Sequence, residues 1–111
     1  MNSQLAYKQQ RHAAASVKSY QNNQISSMSP TQLILKVYDI AIVSVKKGDT
    51  IRAHRAIQEL INSLNFDHGD IPKGLFRLYQ FCQNSLRAKD SKNVISILEE
   101  LRTTWAKAFG L

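Results

Sequence analysis

The apolar and polar positions are patterned most sharply between Ser29 and Lys47, S-P-T-Q-L-I-L-K-V-Y-D-I-A-I-V-S-V-K-K. Ser29 is placed to cap a helix, Pro30 suits the first helical position, and Gln32 can bond back to the cap. Met28, just before the cap, can staple onto Leu33. At about 100° per residue, Leu33, Ile34, Leu35, Val37, Tyr38, Ile40, Ala41, Ile42 and Val45 spread over roughly 220° of this helix. A surface helix shows an apolar stripe of little more than about 100°. Only Lys36, Asp39, Lys46 and Lys47 read as solvated. One neighbour cannot cover such an arc.

Gly48 suits the left-handed position that ends this helix, and Asp49 or Thr50 can cap the next. There, Ala53, Ala56, Ile57, Leu60, Ile61 and Leu64 occupy only about 140° of the wheel, one covered face. Asn65 to Gly69 reads as a loop in which Phe66 can plug one end of the core. Asp70 is placed to cap a third helix with Pro72 in its first turn, and Leu75, Leu78, Tyr79, Cys82 and Leu86 share one face. Phe81 lies at the edge of that face and Phe76 off it. From Asp90 or Ser91, the stripe Val94, Leu98, Leu101, Trp105 and Phe109 predicts a fourth helix, with Trp105 as a core plug. No strand alternation or internal repeat competes.

The pattern predicts an all-α, antiparallel up-down-up-down four-helix bundle. Its helices run over about 29–47, 50–65, 70–88 and 91–109, a bundle domain of 29–111. Residues 1–28 form an N-terminal segment of different composition, without Asp or Glu before Ser27 and with few large aliphatics. Only Leu5, Tyr7, Val17, Tyr20 and Ile25 could anchor it, so it docks on the bundle or is mobile. When docked, Ala13 to Tyr20 can form a turn or two of helix.

Composition changes the picture little. The chain has 111 residues and a net charge of +7, which fits an acidic partner, nucleic acid included. The basic residues are scattered, as on solvated helix faces rather than along a nucleic-acid stripe. One cysteine excludes an internal disulfide and suits a reducing compartment. Apolar runs fall short of the ~18 residues that span a bilayer, and no apolar h-region marks a secretory signal. The expectation is a cytoplasmic protein with no membrane insertion.

Catalytic chemistry is not predicted. His12, His54 and His68 fall in different segments without metal-ligand spacing, so no metal or cofactor site is expected. His54 reads as a helix-edge residue. Cys82, on an apolar stripe, reads as a small buried hydrophobe. Glu99-Glu100 reads as a solubilising pair, and Asp39 as a surface partner of Lys36.

Three stretches together resemble one family. Tyr20-Gln21 through Ser29-Pro30 to Leu33, then Val37-Tyr38-Asp39 with Ala41-Ile42, is similar to a tyrosine-led polar segment before a T/S-P cap and an L-Y-D-G-A-I helix. Glu59-Leu60 with Ser63-Leu64-Asn65-Phe66, then Leu78-Tyr79, resembles the middle of the same pattern. Leu98-Glu99-Glu100-Leu101-Arg102 with Trp105 resembles its closing helix. The family is the flagellin export chaperone FliS, and the likeness covers about Val17 to Phe109.

The resemblance implies a cytoplasmic helical bundle that binds the disordered C-terminal segment of flagellin, prevents early polymerisation and presents the client to the flagellar type III export gate. It also implies that the N-terminal segment can cover part of the client site. A client helix in an apolar groove, in competition with the tail, would account for both the over-wide first helix and the weakly anchored tail. The expected groove or cap residues are Val17, Tyr20, Ile25, Leu33, Val37, Tyr38, Asp39 and Ile40; Asp39 enters through the family pattern alone. Two departures stand out. Ile40 replaces the family's glycine, and both helix hairpins are shorter by roughly one to two turns of about 5.4 Å. Competing readings are a basic bundle binding nucleic acid and a self-associating helical adaptor. A monomer or weak dimer is expected.

Overall fold

The computed structural model describes residues 27–111. The expectations for Val17, Tyr20, Ile25 and the segment Ala13 to Tyr20 lie outside the described residues. The described residues fall into two units, 27–33 and Ile34–Leu111. Four helices account for most of the described residues: α1 Pro30–Lys46, α2 Thr50–Asn62, α3 Asp70–Arg87 and α4 Ser91–Ala108. The described residues contain no strand.

Local chemistry sets each boundary. At the start of α1, the Ser29 N–H donates to Gln32 Oε1 at 3.0 Å and the Gln32 N–H donates to Ser29 Oγ at 3.2 Å. This is the reciprocal box read from the sequence. At the other end Gly48 takes φ +77°, and the Asp49 N–H donates to the Ser44 carbonyl at 2.9 Å. Asp49 then turns acceptor, taking the Arg52 N–H on Oδ1 at 3.1 Å to begin α2.

α2 closes at Asn62 rather than 65, because the Ser63 hydroxyl donates to the Leu60 carbonyl at 2.7 Å. Asn65 accepts the Asp67 N–H at 3.0 Å and opens a single 3-10 turn, Phe66–His68. Asp70 does not cap α3. Gly69, at φ +86°, occupies the cap position without a side-chain bond, and Asp70 is already in the first helical turn. A carboxylate there still faces the positive end of the helix dipole.

Within the second unit the core comprises Tyr38, Ala41, Ile42 and Val45 of α1, Ala53, Ala56, Ile57 and Leu60 of α2, Tyr79, Cys82 and Leu86 of α3, and Val94 and Leu98 of α4. Tyr38 and Tyr79 meet inside it, hydroxyl to hydroxyl at 2.5 Å. Pairing matters there because a buried hydroxyl without a partner costs roughly 1–3 kcal/mol. Two ion pairs tie α1 to α4, Asp39 with Arg102 and Lys46 with Glu99. They run in opposite chain directions on the two helices.

Phe66 does not plug the core. It is 48% exposed and rests edge-on against Phe76 at 5.8 Å. The early closure of α2 holds it in the 3-10 turn, outside the helical layers. Trp105 is half-buried, packed on the core and stacked on Phe109 at 5.5 Å.

Candidate partner-binding surface

The wide apolar arc of α1 is only partly used by the core. Leu35, Tyr38, Ala41, Ile42 and Val45 are buried. Val37 and Ile40 are half-buried and Val43 is 47% exposed. These three recur every third residue, so they form one continuous ridge on the helix surface. Val43 is the member the sequence reading missed. Its spacing from Ile40 is the signal that identifies it.

A groove of about 240 Å³ runs between this ridge and the start of α2, lined by Ile40 and Val43 together with Ser44. Its charged lining is uneven. Lys36, Lys47 and Arg52 contribute cations, Asp39 and Asp49 carboxylates. Both carboxylates are already engaged. Asp49 caps α2. Asp39 is gripped by the Arg102 guanidinium, whose Nε donates to Oδ1 at 2.6 Å and Nη2 to Oδ2 at 3.2 Å. That hydrogen bond to Asp39 is also the main reason the Arg102 pKa is raised. The partner of Asp39 is therefore Arg102, not Lys36. The guanidinium's planar fork matches the carboxylate, which a flexible ammonium does not. The groove is smaller than a small-molecule pocket, which holds about 300–1,000 Å³.

A second apolar strip lies on α3. Ile71 is 69% exposed, Leu78 39% and Phe81 46%, with Leu75 half-buried between them. Sequence reading put Leu78 on the core face with Leu86. Eight residues on a helix separate them by about 80°, and the core covers the side marked by Tyr79, Cys82 and Leu86. Leu78 is left on the shoulder.

The remaining sequence-predicted residues fall as follows. Leu33 is half-buried in the first unit. Tyr38 is wholly buried, and burial lifts its phenol above the ordinary 10.0, opposed by hydrogen bonding with Tyr79 and Trp105. Burial likewise raises Tyr79, helped by its contact with Tyr38. Cys82 is wholly buried and burial pushes its thiol up to about 11, so it is protonated at neutral pH and inert as a nucleophile. His54 sits half-buried at a helix edge, its pKa lowered by burial and then by Arg87. Among the described residues no three His, Cys, Asp or Glu side chains converge as a metal site, and no helix is long and apolar enough to cross a membrane.

A family model described as "Flagellar protein FliS" matches residues 12–110, nearly the whole chain. Comparison with curated proteins and with solved structures gives no match for either. The all-helical architecture agrees with this family, whose members are helical bundles. The chain belongs to the FliS family of flagellar export chaperones, cytoplasmic proteins that bind flagellin.

Proposed function

We propose that this chain binds the disordered C-terminal segment of flagellin, prevents its premature polymerisation and delivers it to the flagellar type III export gate. The observation that carries this reading is the ridge Val37, Ile40, Val43, which remains partly exposed within the second unit after its core has closed. An amphipathic client helix reads such a ridge through residues spaced three and four apart. Burying one aliphatic side chain completely is worth about 1.5–3 kcal/mol. The half-covered members of the ridge supply less than that each, while association itself costs at least about 4 kcal/mol. The strip on α3 supplies the balance: a client that crosses both α1 and α3 gains enough apolar burial to bind stably.

Ile40, in place of the family's glycine, sets the register of the client by adding bulk to the groove it lines. Tyr38 supports the ridge from beneath through Tyr79, and Asp39 fixes α1 on α4 through Arg102. On sequence grounds Val17, Tyr20, Ile25 and Leu33 belong to the client site or its cap. The chaperone acts as a monomer or weak dimer.

Calorimetric titration with the C-terminal segment of a flagellin from the same cell tests this. Saturable one-to-one binding with a negative heat-capacity change is expected, the signature of apolar burial. Ile40→Glu and Val43→Glu should weaken it about tenfold or more, over 1.4 kcal/mol, and weaken binding more than folding. Equal loss of binding and folding would mark them as plain core residues. Absence of binding to every flagellin of that cell would refute the client assignment.

A further inference from the structure

A groove of about 360 Å³ between α2 and α3 is lined by His54, Arg55, Gln58, Gln83 and Arg87. It shares no residue with the α1 ridge. Gln83 Nε2 donates to Gln58 Oε1 at 3.3 Å, bridging the two helices, and Gln58 Nε2 donates onward to Asn62 Oδ1 at 3.1 Å. Arg87 spends one donor on Asn84 Oδ1 at 2.8 Å. The ion pairs among the described residues are Lys46–Glu99 and Asp39–Arg102, so neither Arg55 nor Arg87 has a carboxylate. Glu59, beside the groove in sequence, is half-buried and bonded to neither guanidinium. Two forked cations and two amides thus line one shallow, open groove with no acidic group among them.

We infer that this α2–α3 groove is a binding site for an acidic peptide segment of a partner protein, with Arg55 and Arg87 taking its side-chain carboxylates. A guanidinium fork matches a carboxylate bidentately, and such charge-assisted bonds are about twice as strong as neutral ones. The carbonyl and amide ends of Gln58 and Gln83 can pair with the peptide backbone. His54, which burial and Arg87 hold toward its neutral form, adds a donor without further repulsion. The lining contains no aromatic side chain, whereas single-stranded nucleic acid is held on stacked aromatic platforms along an extended basic groove. The chemistry therefore favours the peptide. This site goes beyond flagellin binding and accounts for part of the positive charge.

The test uses the full chain and a fluorescent oligo-glutamate peptide, with its glutamine counterpart and oligothymidylate as competitors. Saturable one-to-one binding is expected, displaced by neither competitor at matching concentration. Arg55→Gln with Arg87→Gln should weaken it about tenfold or more. Arg77→Gln with Lys92→Gln removes the same charge elsewhere and should cost less than about twofold. Among the described residues the Arg55 side chain makes no hydrogen bond or ion pair, so Arg55→Gln alone, at about threefold loss or more, keeps the test valid if the double variant unfolds. The side-chain amide resonances of Gln58 and Gln83 should shift on titration. Equal losses in the two double variants, or no saturable binding, would overturn the site. Displacement by oligothymidylate at equal or lower concentration would overturn the peptide in favour of nucleic acid.

Discussion

The paired phenols of Tyr38 and Tyr79 form the most consequential single contact inside the bundle. They are 0% and 3% exposed, so neither hydroxyl can turn to water if the other is removed. Tyr38→Phe should therefore destabilise the fold by about 1–3 kcal/mol, the cost of an orphaned buried hydroxyl. Tyr38→Phe with Tyr79→Phe should cost less than the sum of the single changes, because the second removes the orphan made by the first. Urea unfolding of the three variants decides it; strict additivity would mean that the two groups do not depend on each other. The Asp39–Arg102 pair is different, since its side chains are 44% and 36% exposed. Solvent screens it, and Arg102→Gln should cost no more than about 1 kcal/mol. The sequence offered Lys36 as the partner because it is three residues away on the same helix. Arg102, 63 residues away, becomes a neighbour only through packing.

At the scale of elements, the α1–α2 and α3–α4 connections are the same device. Ser44-Val45-Lys46-Lys47-Gly48-Asp49 and Ser85-Leu86-Arg87-Ala88-Lys89-Asp90 align position by position. In each, the fifth residue is left-handed, with Gly48 at φ +77° and Lys89 at φ +63°. In each, the aspartate N–H donates to the serine carbonyl, at 2.9 and 2.8 Å. Each aspartate then caps the following helix, so one residue closes one helix and opens the next. Both serines are buried, small enough to fit under the turn. Lysine has a Cβ that penalises this conformation by about 1–2 kcal/mol, partly offset by the looser unfolded chain of glycine. Lys89→Gly should thus stabilise by about 0.5–1 kcal/mol, and Gly48→Ala should destabilise by about 1 kcal/mol although nothing crowds its Cβ. Thermal unfolding checks both signs; a stabilised Gly48→Ala would refute the backbone argument.

Considered as a whole molecule, the bundle combines a titratable core with uncovered apolar flanks. Cys82, Tyr38 and Tyr79 all have raised pKa values, against ordinary values of 9.0 for the thiol and 10.0 for the phenols. A neutral acid favoured by the fold stabilises fully below its unfolded pKa, and this support is lost as pH rises through the folded value. Stability should consequently be flat up to about pH 8 and fall steadily above about pH 9, first through Cys82 and then through the tyrosines. Urea midpoints across that range test it; an unchanged midpoint at about pH 10.5 would mean that the core tolerates the anions. Cys82 should also resist thiol reagents near neutral pH until the protein unfolds, as alkylation rates with and without denaturant would show. The apolar flanks of α1 and α3 belong to the same balance. A small bundle that leaves Val43, Ile71, Leu78 and Phe81 in water gives up burial that a client can supply.

Much of this was determined by the sequence alone. The Ser29–Gln32 box, the left-handed Gly48 and the Asp49 and Asp90 caps are contacts between near neighbours, so their residue types and spacing suffice. The stripes of α2 and α4 are narrow, and their buried residues followed from angle alone. The family likeness rests on the same local motifs. Tertiary structure decided what angle about a single helix axis cannot. An arc wider than one neighbour's footprint has two shoulders, and only the packed arrangement of helices fixes which is covered. That is why Leu78 lies exposed while Tyr79 beside it is buried, why Phe66 leans on Phe76 outside the core, and why Val43 completes the ridge with Val37 and Ile40. The α2–α3 groove has the same origin. Arg55 and Arg87 read as scattered surface charges in the chain, and become one site only when packing brings two helices side by side.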